Sequence, residues 1–100
     1  MANVVTSERL WMLTDAAIIK AAGTPVVVRK LIFFPGAVSD DVVIHEYGSD
    51  GVARIAVRMK TGPAVALPVE IDFGRDGRIL NGFVLATIDA GYLDIYLGSR

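Results

Sequence analysis

One hundred residues make a single domain, 1–100, large enough to bury roughly 60–70% of its unfolded surface without staples. Ten basic residues against eleven acidic give a net charge of −1. That is no electrostatic footprint for nucleic acid or for an anionic membrane surface, and the absence of cysteine removes disulfides and thiolate metal sites.

Hydrophobicity is high for so short a chain: 53% apolar residues and a mean hydropathy of +0.50. The longest uncharged run, Ile79 to Ile88, has ten residues, against about twenty for a spanning helix. Met1 to Leu10 shows no basic start followed by an apolar signal core. Burial between subunits is the expected outlet for the excess, so the chain is expected to pair with itself.

In chain order, the N-terminal quarter has two readings. Ser7 can cap a helix through Glu8, Leu10, Trp11, Ala17, Ile18 and Ala22, with Gly23 closing it and Pro25 beyond. Alternatively Val4-Val5-Thr6 is a strand and Thr14-Asp15 a turn. Strands are preferred, with residues 1–8 as an extended arm, and the helix over 7–22 stays open. From there turn signals recur: Ala22-Gly23-Thr24-Pro25, Pro35-Gly36, Ser39-Asp40-Asp41, Gly48-Ser49-Asp50-Gly51, Thr61-Gly62-Pro63, Gly74-Arg75-Asp76-Gly77 and Asp89-Ala90-Gly91. The segments between them are mostly strand-sized. This predicts an all-β chain, a small antiparallel β-sandwich or jelly-roll-like barrel of about 7–8 strands.

Val26 to Phe34 is apolar on both faces, broken only by Arg29 and Lys30, and a strand of that kind is covered on both faces. Ala53 to Lys60 alternates, with Ala53, Ile55, Val57 and Met59 on one face. Val65 to Phe73 does the same through Val65, Leu67, Val69, Ile71 and Phe73, and Pro68 places that strand at an edge or a bulge. Paired as a hairpin, the two would set Arg54 opposite Asp72. Ile55, Val57, Leu67, Val69 and Ile71 are expected in the core, where truncating Leu67 or Ile71 to Ala would cost about 2–5 kcal/mol.

Features that suggest chemistry are weak. His45-Glu46, with Asp40 and Asp41 nearby, is the one cluster of His with carboxylates. Neighbours on a strand point to opposite faces, and no second His completes a zinc site. Asp72-Phe73-Gly74 spells a kinase tripeptide without any of its companions. Gly48-Ser49-Asp50-Gly51 and Gly74-Arg75-Asp76-Gly77 lack the alternating oxygen ligands of a calcium loop. No catalytic residue, cofactor or metal is expected. Tyr92, Asp94 and Tyr96 lie opposite Leu93, Ile95 and Leu97, so the two tyrosines stand outside the core.

Asn81-Gly82-Phe83 through Asp89-Ala90-Gly91 to Asp94-Ile95-Tyr96-Leu97, with Thr24-Pro25 to Pro35-Gly36-Ala37 upstream, resembles small virion structural proteins of tailed bacteriophages. Those with an assigned role are mostly capsid decoration (cement) proteins. The resemblance implies a homo-oligomer, a trimer in preference to a dimer, on the outer capsid surface, clamping adjoining major capsid subunits. Interface residues would then be Val4, Val5, Trp11, Phe33, Phe34, Tyr92 and Tyr96, with no nucleic acid or membrane partner. A different head–tail or tail component is one alternative. A β-sandwich module binding carbohydrate is the other, although Asn3 and Asn81 are the sole asparagines and glutamine is absent.

Overall fold

Strand β2, Ala17–Phe34, decides the architecture. Its 18 residues would run roughly 55–60 Å if straight, whereas the molecule's longest dimension is 38 Å. The strand therefore bends, and the sheet bends with it. The fold is a computed structural model that describes residues 3–5, 9–62 and 64–98. The proposed cap Ser7, the turn residue Pro63, and residues 1–2 and 6–8 of the expected arm lie outside the described residues.

The other strands are β1 (Leu10–Leu13), β3 (Asp41–Tyr47), β4 (Ala53–Lys60), β5 (Val69–Asp72), β6 (Arg78–Ile88) and β7 (Tyr92–Leu97). They form one antiparallel sheet in the order β1-β7-β2-β6-β3-β4, with β5 beside β2. The first part of β2 pairs with β6, and its last part runs between β7 and β5. The all-β expectation holds. No helix occurs among the described residues, so the helix alternative fails where it can be read: Leu10–Leu13 is a strand and Ala17 begins another. The path ends at β1 and β4, which do not pair, so the sheet is not closed as a barrel.

Ala22-Gly23-Thr24-Pro25 does not end a strand. It lies within β2, where the register with β6 breaks between Lys20 and Pro25. Gly23 takes φ +87°, and its N–H donates to Asn81 Oδ1 at 2.7 Å. On the facing strand Gly82, at φ +74°, comes so near that a Cβ would meet the Ala21 carbonyl oxygen at 2.8 Å. Both strands thus bend at the same place, and only glycine fits the closer approach.

Bending lays the β1-β7 half over the β6-β3-β4 half. Trp11 on β1 meets Phe83 on β6 edge-to-face at 5.6 Å, although β7 and β2 separate those strands in the sheet. Leu13, Val28, Leu31, Phe33, Val42, Ile44, Leu85, Leu93 and Ile95 fill the same core. Asp89-Ala90-Gly91 carries the chain from one half to the other, since β6 and β7 do not pair.

Two expectations about the middle of the chain are corrected. Ala53–Lys60 pairs with β3 and not with Val65–Phe73, so Arg54 stands opposite Glu46, and Asp72 stands opposite Lys30. Arg54 bonds instead to Asp50, at 2.6 Å. Of the expected core set, Val57 is buried and Val69 and Ile71 pack against the core from its margin. Ile55 is 63% exposed and Leu67 62%. A bulge between Ile44 and His45 throws Ile55 outward, and Leu67 precedes the four-residue strand β5. Pro68 lies directly before β5, which pairs with β2 alone, in agreement with an edge position.

Candidate functional site

On β7, Leu93 and Ile95 are fully buried, so Tyr92, Asp94 and Tyr96 share the outward face. Register builds the rest of that face. Asp94 stands between Met12 of β1 and Ile32 of β2, and Tyr96 between Leu10 and Lys30. Tyr92 lies opposite Phe34, their rings stacked at 4.7 Å and 21°. The two tyrosines are four residues apart, roughly 13 Å along a strand.

Asp94 is the odd member. One of its carboxylate oxygens is buried without a hydrogen-bond partner among the described residues. Its flanks are thioether, alkyl and aromatic groups. Burial pushes its pKa up from the ordinary carboxylate range, because a charged group there loses water without gaining a donor.

At the Tyr96 end the face opens into a groove of about 830 Å³ lined by Arg9, Arg29, Lys30, Asp72, Arg75 and Tyr96, among others. Consecutive residues on a regular strand point to opposite faces, yet both Arg29 and Lys30 line the groove. The β2–β7 register shifts between Val28 and Lys30. Val28 and Leu31 are both core residues, which leaves Arg29 and Lys30 together on the outside. The bulge thus turns one adjacent pair into two cations on one side.

The opposite wall is a turn. Asp72 Oδ1 accepts from the Gly74 N–H at 2.7 Å, and Gly74 takes φ +84°, which brings Arg75 round. On a third side the Leu97 N–H donates to the Arg9 carbonyl at 2.8 Å. The Lys30 ammonium lies 5.5 Å from the Tyr96 ring centroid and 3.2 Å from Glu70.

Of the residues picked from sequence as interface candidates, Tyr92, Tyr96, Val4 and Val5 are exposed, and Phe34 is half-buried under Tyr92. Trp11 is 4% exposed and Phe33 0%. These two are interior residues of this chain, because the fold turns β1 and β2 inward at those positions. Val4 bridges Met12, which stands opposite Asp94, so Val4 extends that cross-strand row beyond β1, at the margin of the tyrosine face. Alternation sets Asp94 outward between the tyrosines, but no sequence pattern marks Arg9, Arg29, Lys30 and Arg75 as one group. The one available signal was the Arg29-Lys30 break in an apolar strand.

His45 and Glu46 assemble no metal site, and no group of three His, Cys, Asp or Glu side chains able to hold a metal occurs among the described residues. Glu46 accepts from the Asn81 N–H and from Arg78. Asp40 is buried, and its Oδ2 accepts from the Gly36 and Ala37 N–H groups at 2.8 Å each. Both are structural ties.

No family model matches the chain, and no curated protein matches it. Among solved structures, the family 32 carbohydrate-binding module from C. perfringens NanJ, in complex with galactose, is similar. The TM-score is 0.41 at 15% identity, over 89% of this chain and 77% of that one. The expected kinship with phage virion proteins does not stand: the structure that matches is a carbohydrate-binding module and not a virion component. The capsid-clamp function and the place on a virion surface fall with it. Likeness at this level assigns no ligand to the present chain.

Proposed function

We propose that the chain is a non-catalytic carbohydrate-binding module whose platform is the Tyr92–Asp94–Tyr96 face. The observation that carries this is the buried, unpartnered Asp94 oxygen between two exposed tyrosines. A sugar presents C–H faces that stack on aromatic rings and hydroxyls that donate to a carboxylate. A hydroxyl that parts the flanking Met12, Ile32 and tyrosine side chains and reaches this oxygen supplies the hydrogen bond that the fold withholds, which is worth more to a desolvated acceptor than to a solvated one. The spacing of the tyrosines exceeds one pyranose ring and suits an oligosaccharide.

The test is glycan-array binding followed by calorimetry with the best ligand. Tyr96→Ala and Asp94→Asn should each weaken binding by about tenfold or more, the loss of one good stacking or hydrogen-bonding contact. Absence of binding to any neutral or acidic glycan would overturn the proposal.

Self-association is a separate proposal resting on a different face. Ile18, Val84, His45 and Ile55 stand in one cross-strand row over β2, β6, β3 and β4. Ile18 is 66% exposed and Ile55 63%. A second copy of this chain would cover that row.

A further inference from the structure

The groove beside Tyr96 differs in character from the rest of the tyrosine face. Four cationic side chains and one carboxylate line it, in a chain whose overall charge is −1. The single carboxylate, Asp72, is turned to its own loop by the bond to Gly74. Lys30 is paired with Glu70, but Arg29 and Arg75 form no ion pair with any described residue. They come from separate elements, the bulge of β2 and the turn after β5, so the fold itself brings like charges together. Two guanidinium groups on one groove, without ion-pair partners among the described residues, cost stability that a bound anion would relieve.

Groove and tyrosine platform are continuous through Tyr96, which belongs to both. We infer that the groove takes an anionic substituent, a carboxylate or a sulfate, on the sugar unit next to the one stacked on Tyr96. The ligand class is thereby an acidic oligosaccharide. This inference rests on the carbohydrate reading above and narrows it. Guanidinium groups suit the role because their planar donors meet two oxygens at once. Gly98 lies against the Arg29 stem: a Cβ there would meet the Arg29 Cγ at 3.0 Å and Cδ at 3.1 Å, so the stem would have to shift by a few tenths of an ångström.

The experiment is calorimetry on the full chain with three oligosaccharides of equal length: a neutral galacto-oligosaccharide, an oligogalacturonate carrying carboxylates, and a sulfated galactan fragment. One or both acidic probes should bind about tenfold or more tighter than the neutral one, and the difference should shrink between about 0.05 and 0.5 M NaCl. Which acidic probe wins separates carboxylate from sulfate. The double variant Arg29→Ala/Arg75→Ala should abolish the preference while leaving the neutral affinity unchanged, and its thermal unfolding reports whether the fold survives. Should the double variant not fold, Arg75→Ala alone should reduce the preference severalfold, and an unreduced preference overturns the inference. Neutral binding with no acidic gain overturns the inference alone. An acidic preference that survives the double variant overturns it as well. No binding of any probe removes it together with the carbohydrate reading. Tighter binding of a short single-stranded oligonucleotide than of either acidic sugar would reassign the groove to nucleic acid.

Discussion

Asp94 illustrates how a single side chain is held at a cost to the fold for the sake of an unmet bond. Its folded-state pKa is raised by burial, so between the ordinary carboxylate pKa and that raised value the native state binds more protons than the unfolded chain. Unfolding free energy therefore falls as pH rises through this window, and the penalty is absent below it. Asp94→Asn should raise the thermal midpoint at neutral pH while weakening sugar binding about tenfold or more, and the stabilisation should fade on acidification. Parallel melts of both proteins between mildly acidic and neutral pH check this. Unequal stability that persists at the acid end would mean that some other contact was altered. Affinity of the natural protein should also drop as pH falls through the raised pKa, because a protonated Asp94 loses most of its strength as an acceptor. Asp40 is the contrasting carboxylate. Its carboxylate accepts from two backbone N–H groups in the Pro35–Asp40 turn, and Asp40→Ala should cost about 1.5–3 kcal/mol in urea unfolding without touching binding.

Among the elements, β4 and β5 show how far pattern reading carries. Alternation located Ala53–Lys60 to the residue, because a strand pleats with period two whatever it pairs with. It could not name the partner. Chain neighbours offered a hairpin through Thr61-Gly62-Pro63, whereas β5 crosses to β2 and β4 returns to β3. Period two also fails at bulges, and Ile55 is outside for that reason. The consequence is measurable. Leu67→Ala, expected from alternation to cost core-like energy, should change stability by no more than about 0.5 kcal/mol. Phe83→Ala removes the ring that meets Trp11 across the two halves and should cost about 3–5 kcal/mol. Gly82→Ala should cost about 2 kcal/mol or more, from a positive φ and a clash with the facing backbone. The Gly23-Thr24-Pro25 signal was legible as punctuation, yet local sequence does not say whether such residues end a strand or bend it.

At the scale of the whole molecule, net charge concealed the site. Charges averaged over the chain nearly cancel, while folding gathers Arg9, Arg29, Lys30 and Arg75 from positions far apart in sequence around one groove. The outward tyrosines were legible from the alternation of a single strand; their basic neighbour was not, because it depends on a bulge and on three separate elements. Composition also raised self-association, for which the fold offers a surface. Ile18, Val84 and Ile55, with His45 among them, form a largely apolar row over β2, β6, β3 and β4, remote in register from the tyrosine platform. Exposed rows of this kind are commonly covered by another chain, and a face that meets its own copy generates a twofold. The trimer preference came from the capsid analogy and lapses with it. Light scattering at micromolar concentration should give a mass of twice 10.7 kDa, and Ile55→Glu should return it to the monomer value, since a carboxylate facing its symmetry mate cannot be buried unpaired. The variant should keep its oligosaccharide affinity, because the row and the platform lie on different halves of the sheet. A monomer mass for the unaltered protein across that range would dispose of self-association and leave the binding proposals untouched.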